Sequence, residues 1–238
     1  KACWLMTHFQ NPLGCTMSWP QKEQLVALLQ QNNISLIEDD VYGELYFGAD
    51  RPLPAKALDQ HRQILHCSSF SKCLAPGFRV GWVAAGEHAQ RIQHLQLMST
   101  VSASVPTQLA IADYLSQGGY DTHLRRLRRL MEQRLNTLHQ AVIEHFPKNV
   151  KISHPAGGYF LWLELEPPFN ASELYRRALE QGVSIAPGRM FTTGSQFDHC
   201  FRLNASFAWS EQSEQAIRIL AQLINQLTSA TDNSRSRR

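Results

Sequence analysis

The chain has 238 residues, of which 43% are hydrophobic and 18% charged, the balance of a globular protein with a substantial buried core rather than a disordered or fibrous one. Its formal charge of +3 includes +2 from the tail TSATDNSRSRR, which leaves the body near +1 and gives no electrostatic case for nucleic-acid binding. Five widely spaced cysteines with no C-x-x-C pair argue against a disulfide scaffold or a zinc site and point to free thiols in a reducing cytoplasm.

The opening KACWLMTHF lacks the pattern of a signal peptide, and no apolar run reaches membrane-spanning length, so a cytoplasmic protein with no membrane partner is expected. A lysine at the head of an apparent buried strand suggests that a longer protein has lost its front. Short apolar runs bounded by turn residues are read as buried parallel strands: CWLMT (3–7), SLIED (35–39), QILHCS (63–68) and VGWVAA (80–85). Between the first two, SWPQKEQLVALLQQNN has Ser18 as a candidate N-cap and Leu25, Leu28 and Leu29 at helical spacing. Strand, helix and strand in succession predict an α/β sheet domain, of which residues 1–105 would form the second half.

Residues 106–148 are expected to form long connecting helices, with Leu124, Leu127, Met131, Leu135, Leu138 and Val142 as a core stripe. From 149 to 227 the strands VKIS, YFLWLEL, VSIA and CFRLNAS alternate with two helical segments, a smaller α+β domain. Residues 228–238 are polar and Arg-rich and are expected to be disordered. Arg125, Arg126, Arg128 and Arg129 in HLRRLRRL are read as a solvated or dimer-facing helix surface rather than a DNA contact. The ten histidines show no metal-ligand spacing, so no metal is expected.

In open α/β sheets ligands lie beyond the carboxyl ends of the strands. After SLIE come Asp39, Asp40 and Tyr42; after QILHC come Ser68, Ser69, Ser71 and Lys72. A carboxylate and a lysine placed in this way can be a structural ion pair. They can equally serve pyridoxal 5'-phosphate, which needs a lysine amine for a Schiff base, a carboxylate for its pyridine nitrogen, hydroxyls and an arginine for its phosphate, and donors to its ring oxygen. Lys72, Asp39, Ser69 and Ser71 with Arg79, and Asn11 with Tyr42, match those needs in turn.

Six stretches, NPLG (11–14), EDDVYGELYF (38–47), SSFSKCLAPGFRVGW (68–82), PAGGYFLWLEL (155–165), SIAPGRMF (184–191) and CFRLNAS (200–206), resemble in order the successive motifs of class I/II aminotransferases. The fuller stretches LYFGADRPLPAKALD, FSKCLAPGFRVGWVAAG and SQGGYDTHLRRLRRL are most similar to the aminotransferase-like domain of MocR-type regulators of the GntR family, in which an N-terminal winged helix-turn-helix binds DNA. The resemblance implies a PLP-dependent aminotransferase-like α/β fold, with a partial, mainly parallel large domain followed by a smaller α+β domain.

By position, the resemblance makes Lys72 the lysine linked to the cofactor as an aldimine, Asp39 the partner of the pyridine nitrogen, and Tyr42 and Asn11 the groups on the ring oxygen. Ser69, Ser71 and Arg79 match phosphate ligands, and Arg202 matches the arginine that grips a substrate α-carboxylate. It also implies a homodimer, an amino-acid or amine effector sensed through aldimine exchange, and DNA contact only through a domain outside this chain. A working aminotransferase, with Lys72 moving a proton between substrate and cofactor, is the alternative implied by the same residues. The family's phosphate-binding glycine turn and the aromatic that stacks on the cofactor ring are not assigned in this sequence.

Overall fold

The computed structural model describes residues 1–235. They fall into two compact units: Lys1–Gln10, Cys15–Arg129 and Ala156–Gly158 form the first; Asn11–Gly14, Leu130–Pro155 and the chain from Tyr159 onward form the second.

In the first unit, β1 (Ala2–Leu5), α1 (Trp19–Gln31) and β2 (Ser35–Asp39) make the expected strand–helix–strand. The helix starts at Ser18, whose backbone N–H donates to Gln21 Oε1, and has Pro20 in its first turn, where the missing N–H costs no helical bond. It ends at Asn32 and Asn33, the latter at a positive φ of 51° that asparagine tolerates well. Val26 and Leu29 on its inner face pack with Leu36, Ala55 and Ile64.

β2 runs parallel to β1 and to β3 (Ile64–Ser69), and the sheet order is β1-β2-β3-β4. Contrary to expectation, β4 (Gly81–Ala84) is antiparallel to β3, and all four of its residues are exposed. A parallel return needs a crossover of a dozen or more residues, usually a helix. Residues 70–80 instead form turns and a single 3-10 turn at Pro76–Phe78, so the chain doubles back along the sheet edge. At Gly81 a Cβ would sit 2.9 Å from the Ser68 carbonyl oxygen, so only glycine allows this close pairing at the end of β3.

α2 (Ala89–Thr100), which the apolar pattern does not signal, follows β4, and none of its residues is buried. α3 (Val105–Ser116) and α4 (Gly119–His145) occupy the stretch expected to be helical, and α4 passes from the first unit into the second after Arg129. No helix among the described residues is long and apolar enough to cross a membrane.

The second unit contains an antiparallel sheet of β5 (Lys151–Ile152), β6 (Phe160–Glu164), β7 (Ala186–Pro187) and β8 (Cys200–Asn204), in the order β5-β6-β8-β7. α5 (Ala171–Glu180) is capped by Asn170, whose side-chain oxygen accepts from the N–H groups of Ser172 and Glu173. It packs against α6 (Glu211–Arg235). α6 runs on past Leu227, where the sequence pattern places the start of a disordered tail, because the segment after it holds neither proline nor glycine to stop a helix; residues 236–238 lie outside the described residues. Leu135, Val142, Leu161, Leu163, Leu174, Phe201, Leu220 and Ile224 form the fully buried centre of this unit.

Leu163, opposite Phe201 on the paired strand, is fully buried, so Leu163→Ala is expected to lower unfolding free energy by about 2–5 kcal/mol. Leu179→Ala, at an exposed site on α5, is expected to change it by less than about 0.5 kcal/mol. Urea titrations of both variants check the contrast.

Candidate functional site

The ends of β2 and β3, together with the turns that follow them, carry most of the residues singled out in the sequence. Asp39 closes β2, paired in register with Cys67 on β3. Its Oδ1 is buried and has no hydrogen-bond partner among the described residues. Such an atom carries a desolvation cost until a donor reaches it. Tyr42 follows in the turn, buried, and the ammonium of the exposed Lys72 lies 6.0 Å from the centre of its ring. Arg79, held at a positive φ of 56°, donates to the Ser71 hydroxyl over 3.2 Å and to the Pro76 carbonyl over 3.4 Å. A guanidinium and a hydroxyl thus face one another at the surface, a pairing suited to a phosphate. Ser69 ends β3 opposite Gly81.

Asn11 and Arg202 belong to the second unit, where the guanidinium donates to the Asn11 side-chain oxygen. Arg202 sits on β8, flanked by Trp162 and Ala186 in the register. Its guanidinium lies over the rings of Phe160 and Phe191, 4.1 and 5.2 Å from their centres. A planar cation stacked in this way keeps its fork presented edge-on, the geometry that binds a carboxylate through two parallel bonds.

Sequence reasoning missed what lies on the other face of β2. Thr7, His8, Lys22, Glu38, Asp40 and His66 are all buried; hydrogen bonds join Thr7 and His66 to Glu38, and Lys22 through His8 to Asp40, with His66 Nε2 3.6 Å from Asp40 between the two groups. The only signal was the strand alternation, which places Glu38 and Asp40 opposite Asp39. Of the four arginines in HLRRLRRL, Arg128 departs from the solvated reading: it donates to the Glu44 carbonyl and stacks over Tyr46, 4.2 Å from the ring centre. The three others are exposed. Among the described residues no group of His, Cys, Asp and Glu is arranged to hold a metal ion.

Residues 2–220 match the model of the aminotransferase class I and II family, and the chain belongs to that family. It is 59% identical over 226 residues to the uncharacterized HTH-type transcriptional regulator YdcR of Escherichia coli, covering 95% of this chain and 48% of that protein. It is 30% identical over 230 residues to the 2-aminoadipate transaminase of Thermus thermophilus, covering 94% of this chain and 57% of the enzyme. Among solved structures it resembles LysN, the alpha-aminoadipate aminotransferase of Thermus thermophilus complexed with N-(5'-phosphopyridoxyl)-L-leucine, with a TM-score of 0.90 and 28% identity over 96% of this chain and 60% of that one. The chain spans about half the length of the curated relatives it matches.

Glu38 gives the first unit a definite acid response. Burial would raise its pKa, but hydrogen bonds from His66, Thr7 and the backbone N–H groups of Lys56 and Ala55 outweigh that and hold the carboxyl at about 2. Because the folded value lies below the ordinary 4.5, the stabilisation is fully present above that pH and is lost as the pH falls towards about 2. Urea midpoints measured between these limits are expected to fall steeply for the wild type and less steeply for Glu38→Gln.

Proposed function

We propose that this chain is the pyridoxal-phosphate-binding, aminotransferase-like effector region of a cytoplasmic transcriptional regulator. In this reading it senses an amino acid or amine at Lys72 and controls a DNA-binding domain outside the chain, within a homodimer. The observation that carries the regulatory part is the 59% identity, over 95% of this chain, to a protein named as an HTH-type transcriptional regulator. The cofactor part is supported by the buried, unsatisfied Asp39 oxygen, which a protonated pyridine nitrogen would satisfy.

Bound pyridoxal phosphate supplies an electrophilic aldehyde and a ring that draws electrons from an attached amino acid. Lys72 provides the primary amine that links to that aldehyde, and its place outside the buried core leaves it reachable. Asp39 accepts the hydrogen bond of the ring nitrogen and holds its positive charge. Arg79, with Ser71 and Ser69, holds the phosphate. Tyr42 and Asn11 donate to the ring oxygen, and Arg202 receives an effector's α-carboxylate.

A working aminotransferase is the second reading. It is favoured by the identity to the 2-aminoadipate transaminase and by the presence of both Lys72 and Asp39. There Lys72, once released from the aldehyde, would act as the base that moves a proton between the substrate Cα and the cofactor carbon.

The intact protein that carries this chain, titrated with pyridoxal phosphate, is expected to develop a visible absorbance band that Lys72→Ala abolishes. An amino acid or amine that alters this band is then expected to change affinity for operator DNA. No band in the wild type would defeat the cofactor reading. Release of a 2-oxo acid, followed by turnover with a second 2-oxo acid, would put the enzyme first.

A further inference from the structure

Asp40, beside the candidate site, is held by many partners, yet it faces away from the side on which a ring bound at Asp39 would lie. Its backbone N–H donates to the Cys67 carbonyl over 2.8 Å, and its carbonyl accepts from the Ser68 hydroxyl over 3.0 Å and from the Gly43 N–H over 3.3 Å. Its carboxylate is 2.7 Å from His8 Nδ1 and 3.3 Å from an Arg51 guanidinium nitrogen, with His66 Nε2 at 3.6 Å. His8 is fixed in turn by Lys22, whose Nζ is 2.6 Å from His8 Nε2 and 2.7 Å from the Leu53 carbonyl oxygen. Lys22 and the Leu53 carbonyl oxygen thus meet His8 at Nε2, and its Nδ1 is the nitrogen that faces Asp40.

His66 also binds Glu38 over 3.0 Å, and Glu38 accepts from Thr7 over 2.6 Å. A buried chain therefore runs from Thr7 through Glu38 to His66 and, across the 3.6 Å ion contact between His66 and Asp40, on through His8 to Lys22. Asp40 stands where this chain meets the turn that carries Tyr42. A Cβ at Gly43 would lie 2.4 Å from both carboxylate oxygens, so the turn is folded directly against the carboxylate. Because His8 and Arg51 hold those oxygens, they do not swing aside as a free side chain would.

We propose that Asp40 is a positioning residue: its buried carboxylate, fixed by His8 and Arg51, is the post against which the Asp40–Glu44 turn is wound, and it thereby sets the orientation of Tyr42 and Asp39 towards the cofactor. This rests on the cofactor reading given above. It goes beyond that reading by assigning a role to a residue that touches neither cofactor nor effector, and by making His8 and Lys22 part of the same support.

The test uses the intact protein loaded with pyridoxal phosphate, comparing wild type with Asp40→Asn, Gly43→Ala and the control His145→Gln, which breaks a His145–Glu214 pair in the second unit. The readouts are cofactor affinity and the induced circular dichroism of the visible band, which reports how the ring is held. Asp40→Asn and Gly43→Ala are expected to keep the Lys72 link but lower affinity by about tenfold and change the induced dichroism, as removal of an outer support does elsewhere. His145→Gln is expected to leave both unchanged.

Folded Asp40→Asn with wild-type affinity and wild-type induced dichroism would overturn the proposal. If Asp40→Asn does not fold, Gly43→Ala decides, since it removes no side chain of the buried network and crowds only the Asp40 carboxylate and its turn: an unchanged signal overturns the proposal and a changed one sustains it. A wild type that shows no visible band removes the cofactor reading itself, whereas a normal wild type beside unaltered variants removes only the role of Asp40.

Discussion

Three consecutive acidic residues at the end of one strand set the terms for the first unit. Because side chains alternate along β2, Glu38 and Asp40 turn to one face and Asp39 to the other. Two carboxylates beneath a sheet are costly unless each oxygen finds donors, since the loss of hydration amounts to several kcal/mol per ion. The surrounding chain is arranged to meet that demand. Thr7 and His8 come from the segment after β1, Lys22 from α1, His66 from β3, and Arg51 with the N–H groups of Ala55 and Lys56 from the loop between β2 and β3. That loop crosses the sheet where it does because the anions need its backbone, and the face left to Asp39 is open to other chemistry.

Residues whose role follows from local pattern were legible in the sequence. Ser18 and Pro20 mark the start of α1, and apolar runs mark β2 and β3; Lys72 stands out in the turn after β3, and Asp39 at the end of β2. What depends on distant partners was not. The direction of β4 is set by the short connection at 70–80, and no property of VGWVAA itself distinguishes a parallel strand from an antiparallel one. Lys22, within QKEQ, reads as a surface residue, yet His8 and the Leu53 carbonyl draw it inside. α2 was not singled out in the sequence, and its apolar residues, Ile92, Leu95 and Met98 among them, are not buried.

In the second unit a cation is placed by aromatic faces. Arg202 is an arginine in a largely apolar strand, and two phenyl rings and the Asn11 amide oxygen hold its guanidinium. A ring face restrains the tilt of that plane but takes none of its N–H donors, all of which lie in the plane and point out from its edge. Stacking therefore fixes the plane of the group, and its hydrogen bonds run from the edge.

Next to Lys72 in the chain stands Cys73, so two nucleophilic side chains are adjacent in sequence. Cys73 is buried, its sulfur 3.2 Å from the Tyr120 hydroxyl, and burial pushes the thiol pKa up. His123 clasps the Cys73 backbone carbonyl over 2.7 Å and holds that side of the turn in place. Of two adjacent nucleophiles, the packing of this one turn buries the sulfur in its less reactive, protonated form and leaves the nitrogen of Lys72 exposed.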